Sequence, residues 1–231
     1  MRAAALTLVA ILIVAFSLPA VERAPSVHLP WKEAGLSERE AAAHLLNRFA
    51  YGPRPGEVEA VVEMGLDRWL ERQLAGDLPD RELERRLDRL PALEMSAAEI
   101  ARTYPPPGLL LMEARRAGVI SEQDMRDPEA LEEEDKRERR GAVMRWAAEH
   151  GYRSQRELAG QLMTQKLWRA VESENQLEEV MTDFWFNHFN VFFNKGQDRY
   201  LVGDYEKSAI RPHVFGRFED MLIATAQHPA M

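Results

Sequence analysis

SEREAAAHLLNRFAYGP, residues Ser37 to Pro53, carries the start, body and end of one helix in a single run. Ser37 and Glu40 have the S-x-x-E spacing of a capping box, in which each residue satisfies a backbone N–H of the other's end of the first turn. At 100° per residue Ala41, Ala42, Leu45, Leu46 and Phe49 share one apolar arc. Tyr51-Gly52-Pro53 then stops the helix, because proline has no N–H to continue the ladder.

The same grammar repeats downstream. Pro55 and Gly56 open a helix carrying Val58, Val61, Val62 and Met64, and Gly65 ends it. Asp67 is expected to cap a third, with Trp69, Leu70 and Leu74 facing in. Leu83, Leu87 and Leu90 give a charged surface helix a narrow seam. Tyr104-Pro105-Pro106-Pro107-Gly108 reads as a polyproline spacer or surface loop. Glu129 to Arg140 is a charge run with i,i+4 pairs, Glu132 with Lys136 among them, and reads as a solvated helix. Gly151 separates one helix, AVMRWAAEH, from another, opened by a second S-x-x-E pair, Ser154 and Glu157, whose Leu158, Leu162, Met163, Leu167, Trp168 and Val171 fall on one face. No run alternates convincingly as a strand. The expected fold is all-α, an irregular multi-helix array with no substantial sheet.

Composition narrows the function. The 231 residues carry a net charge of -8, which argues against a nucleic-acid surface, and there is no cysteine for disulfides, thiolate metal sites or a thiol nucleophile. No Gly-rich nucleotide or flavin fingerprint is present. Met1 and Arg2 precede an apolar run from Ala3 to Phe16, then Ser17-Leu18-Pro19-Ala20, the order of a secretory signal. Residues 1–24 are therefore expected to be a signal peptide, or an N-terminal anchor if uncleaved, the one membrane contact expected. Residues 25–36 follow as a linker, and residues 37–231 as the N-terminal part of a single helical domain, with a charged, Pro-rich, insertion-like middle at about 95–140. The expected location is exported: periplasmic, extracellular or envelope-anchored.

The chemistry concentrates late in the chain. DFWFNHFNVFFNKG, Asp183 to Gly196, sets one histidine among six aromatic residues. A helical wheel puts His188 on the arc of Leu177, Val180, Met181, Phe184 and Val191, and puts Glu179, Asp183, Asn187 and Asn190 opposite. His188 is thus expected to be buried, with its partner on another helix, and to share no face with Asp183. Either it is a hydrogen-bonded core group or it lines a cleft as metal ligand or acid/base. Arg211, just before Pro212, is a bidentate donor suited to an anionic group or to a buried carboxylate. His213 follows in the same turn, and His228 lies in an exposed-looking tail. The candidates are His188, His213 and Arg211 for catalysis, His188 and His213 for a metal, and Asn187, Asp183, His44, Arg48 and Trp185 for binding.

Three blocks carry a resemblance: AAAHLLNRFAYGPRPGEVEAVVEMGLDRWLERQL, DFWFNHFNVFFNKG and DYEKSAIRPHVFGRFEDMLIATAQHPAM, in this order. Together they are similar to the bacterial domain of unknown function 1800 family. The resemblance implies a largely helical secreted or envelope protein and no particular activity. It also implies a longer domain, of which this chain resembles the first half, so that a shared site would be incomplete and apolar surface exposed. The expected function is that of an exported envelope protein with a His/Arg-lined ligand or catalytic cleft. The alternatives are a metal-assisted or acid/base hydrolase of an extracellular polymer, with a divalent cation as its cofactor, and a non-enzymatic module for polysaccharide or a secreted partner protein.

Overall fold

A computed structural model describes residues 27–123 and 132–231. The expected export segment, and part of the Glu129–Arg140 charge run, lie outside them. Among the described residues there are eleven α-helices and no strand: α1 Glu38–Phe49, α2 Glu57–Met64, α3 Leu66–Ala75, α4 Arg81–Leu87, α5 Ala97–Thr103, α6 Pro107–Arg116, α7 Glu133–Glu149, α8 Gln155–Glu172, α9 Gln176–His188, α10 Val202–Tyr205 and α11 Phe218–Gln227. None is long and apolar enough to cross a membrane. The all-α architecture follows the sequence reading.

Local signals place most helix ends. Ser37 and Glu40 form the full capping box of α1. Ser154 caps α8 by accepting from the Glu157 N–H, while the Glu157 carboxylate turns away to Arg153. A second full box, Ser96 with Glu99, starts α5 inside the stretch expected to be insertion-like. The Pro-rich stretch is no spacer: Tyr104 is fully buried and Pro107 begins α6. Asp67 does not cap α3, whose N-cap is Gly65; its carboxylate accepts from the Leu29 N–H at 2.9 Å. Gln73, rather than Leu74, takes the inward position on α3. In the charge run, Lys136 pairs with Glu133 at 3.0 Å, three residues away.

Among the described residues, four apolar clusters hold the helices together. The α1 arc packs with Val61, Leu66, Trp69 and Leu70, and α9 closes this cluster through Leu177. A second gathers Tyr205, Ala209, Ile210, Val214 and Met221 against Trp185, Phe186 and Phe189. Met181 of α9 touches both, so α9 is the wall between them. Tyr104 and Leu158 centre a third, and Ala114, Ile120 and Val143 a fourth.

The two long helices near the candidate residues turn unexpected faces inward. On α8, Met163, Leu167 and Val171 are 71%, 63% and 58% exposed. The inward stripe is Leu158, Gln161, Leu162, Gln165 and Arg169, which has helical period but mixed polarity. Gln161 explains why: its Nε2 donates to the Tyr104 hydroxyl at 3.0 Å and its Oε1 accepts from the Ala92 N–H at 2.9 Å. A buried amide with both ends bonded is tolerated in a core. On α9, Glu179 and Thr182 are buried while Phe184 is 55% exposed and His188 lies at the surface. The expectation of a buried His188 is thus corrected. Charge decides the rotation, because Glu179 has partners inside.

The turn between α8 and α9 fixes that rotation. Asp80 accepts from the Ser173 hydroxyl and the Glu174 N–H, each at 2.6 Å. The Asn175 side chain accepts from the Leu78 N–H at 2.9 Å and donates to its carbonyl at 2.7 Å. Gln73 donates to the Glu174 carbonyl at 2.8 Å and accepts from the Leu177 N–H at 3.0 Å.

Candidate functional site

The structure separates the expected site residues into two neighbourhoods joined by Lys166. The first is a lattice of buried charge. Arg211 follows a π-helical turn, Glu206–Ile210, that grows out of α10. Its Nη1 and Nη2 donate to the two Glu179 oxygens at 2.7 and 2.8 Å, and Glu178 and Glu206 stand at 3.3 and 3.5 Å. Arg169 reaches Glu179 at 3.4 Å, and Lys166 reaches Glu206 at 2.8 Å.

Burial alone would lower the Arg211 pKa, but its bonds to Glu179 and the charges of Glu179, Glu206 and Glu178 outweigh it and raise the value. Glu178 is pushed above the usual carboxylate range, first by burial, with Arg211 opposing. This is the locking role open to a buried arginine: every carboxylate near Arg211 already holds it. Arg169 Nε is buried with no acceptor. The lattice faces a cleft of about 560 Å3, lined by Arg169, Glu206 and Arg211 on one side and by α4 and the segment after it on the other.

The second neighbourhood is a shallow depression of about 530 Å3 formed by Tyr51, Val180, Asp183, Phe184, Asn187 and His188. The Phe184 and His188 rings lie one helical turn apart, 6.3 Å between centroids and 14° from parallel. Trp185 meets His188 edge-on at 5.5 Å and stacks with Phe189 at 5.9 Å. Asn187 Nδ2 donates to the Asp183 carbonyl at 2.8 Å and to its carboxylate at 3.1 Å. Lys166 donates to the other Asp183 oxygen at 3.4 Å and stands 4.1 Å over the Phe186 ring.

Asp183 and His188, placed on separate faces by the wheel, therefore share this depression without bonding each other. Tyr51 donates to the Glu179 carbonyl at 3.4 Å. Its pKa is pushed up to about 12, first by burial and then by the charges of Asp183, Glu179 and Glu206, with Arg211 opposing.

The remaining candidates lie elsewhere. His44 and Arg48 are exposed on α1. His213 is half-buried, and no hydrogen bond or ion pair of its ring is found among the described residues. His228 is no exposed tail: its side chain is 8% exposed. Its Nδ1 accepts from the Ala230 N–H at 3.1 Å, so Nε2 carries the hydrogen and donates to Asp204 at 3.1 Å. Among the described residues, no three or more histidine and carboxylate side chains gather as a metal set.

Glu179, Glu206, Arg169, Lys166 and Tyr51 were missed from sequence. Gln161, Gln165 and Arg169 at helical spacing on α8 and the Glu178-Glu179 pair inside an apolar segment are the signals for Arg169 and Glu179; neither bears on Tyr51, Lys166 or Glu206.

Residues 44–231 match the family described as Protein of unknown function (DUF1800), and the chain belongs to that family. No curated protein and no solved structure matches it.

Proposed function

We propose that this member of the family is an exported bacterial envelope protein that binds a sugar polymer in the depression around Phe184 and His188. One observation carries the reading: two near-parallel rings face solvent beside a carboxylate and an amide that already bond each other. A pyranose presents an apolar C–H face and a rim of hydroxyls. The rings suit the face, and Asp183 and Asn187 suit the rim. Export rests on the order of charge, apolar run and small residues at Met1 to Ala20.

Recognition is favoured over hydrolysis by where the candidate residues fall. Arg211 is committed to Glu179 in the lattice, while His188 lines the depression. The test is a titration of the full chain with soluble envelope glycans, followed by tryptophan fluorescence. Phe184→Ala should abolish the change and leave thermal melting intact, since Phe184 is more than half exposed. An unaltered titration curve for this variant, or no response to any glycan, sinks the reading. Cleavage of a bound glycan revives the hydrolase.

A further inference from the structure

The His228 ring is buried with its tautomer fixed, and the sugar reading makes no use of it. Local sequence sets up its geometry. α11 ends at Gln227, and Pro229 keeps His228 extended, with φ of -73° and ψ of 137°. Pro229 has no N–H, so the first backbone donor after the ring is Ala230. That N–H turns back onto Nδ1 at 3.1 Å, while Nε2 donates to Asp204 at 3.1 Å. Ala230 is thereby seated, buried, in the cluster of Tyr205, Ile210 and Met221.

Two ionisable side chains meet the ring among the described residues, both from α10. Asp204 takes the Nε2 hydrogen, and the Tyr205 ring lies 5.1 Å away, tilted by 61°. The Tyr205 hydroxyl is spent on the Phe189 carbonyl at 2.8 Å. Next along the chain, Glu206 is held by Lys166 and Arg211, and Lys207 by Glu94. On α11, Glu219 is held by Arg217 and Asp220 is exposed.

Seating Ala230 requires an unprotonated Nδ1. A proton there sets two donors head to head at 3.1 Å beside a buried ring. Asp204 contacts the other nitrogen and can hold the ring whether or not Ala230 is seated. It therefore sets the pH at which the Ala230 bond is lost and leaves the direction unchanged. The seated form binds one proton fewer than the unseated form, so acidification depletes it.

We propose that His228 is a pH-operated latch, whose protonation releases residues 229–231 from the Tyr205–Met221 cluster while α11 and the Asp204 contact persist. Release opens apolar surface on a cluster that Trp185 and Phe189 also pack against.

The test is amide hydrogen exchange of the full chain, followed by NMR from about pH 8 to about pH 5 and corrected for intrinsic exchange. The protection factor of the Ala230 amide should fall about tenfold per pH unit on the acid side, as linkage to one proton requires. The Tyr104 amide, bonded to the Ile100 carbonyl at 2.8 Å, should keep its protection. His228→Gln, which takes up no proton, should give a flat Ala230 profile. Asp204→Asn should move the release to lower pH, because the imidazolium loses its anion. Protection of Ala230 that is independent of pH, or the same acid release in His228→Gln, overturns the proposal. Loss of Tyr104 protection in step with Ala230 overturns it too, since the whole fold would then be opening.

Discussion

Arg211 grips Glu179 with both arms of its guanidinium across 32 residues of sequence, at 2.7 and 2.8 Å, and so ties the π-helical turn to α9. Glu178, Glu206 and Arg169 lean on the same pair. Planar, bidentate and charge-assisted, it is the kind of contact lysine cannot reproduce.

Arg211→Met should therefore cost about 3–5 kcal/mol, the usual penalty for stranding a buried charge, because Glu179 loses its main partner. Urea unfolding measures it. A loss below about 1 kcal/mol, the scale of an exposed pair, would mean that water reaches Glu179 in solution.

Glu178 sets a pH dependence. Its folded pKa lies above the ordinary 4.5, chiefly through burial. A carboxyl raised on folding favours the native state while protonated. Its contribution is full below the unfolded pKa and fades as pH climbs through the folded one. Glu178→Gln should thus gain on the wild type as pH rises from about 4 towards neutrality, in urea melts run as a pH series. A gain on acidification instead would contradict the burial.

Tyrosine ionisation offers a direct optical check. Tyr51 and Tyr205 should ionise at about 12, both primarily because burial disfavours the anion. Stability from each is present below 10.0 and declines as pH climbs from there towards about 12. In ultraviolet titration, Asp183→Asn should bring Tyr51 down and leave Tyr205 in place. An unmoved Tyr51 would separate it from the depression.

The orientation of α8 can be read from two leucines. Leu158 is fully buried and Leu167 is 63% exposed. Leu158→Ala should cost about 2–5 kcal/mol and Leu167→Ala at most about 0.5. Equal losses would show that the outer stripe is covered in solution.

Local features are legible along the chain. Ser37 with Glu40 and the breaks at Gly65 and Gly151 are written in single turns of chain, and they suffice for helix ends and an all-α class. Ser96 with Glu99 is equally legible, although its charged and Pro-rich surroundings read as an insertion. Which face of α8 and α9 lies inside depends on partners distant in the chain. A wheel assigns carboxylates and amides to water, and it cannot see that Glu179 finds Arg211, or that Gln161 finds Tyr104 and Ala92. Those partners are 32 to 69 residues away. Once they are paired, burying the polar stripe costs little, so Met163, Leu167, Phe184 and His188 turn to the surface.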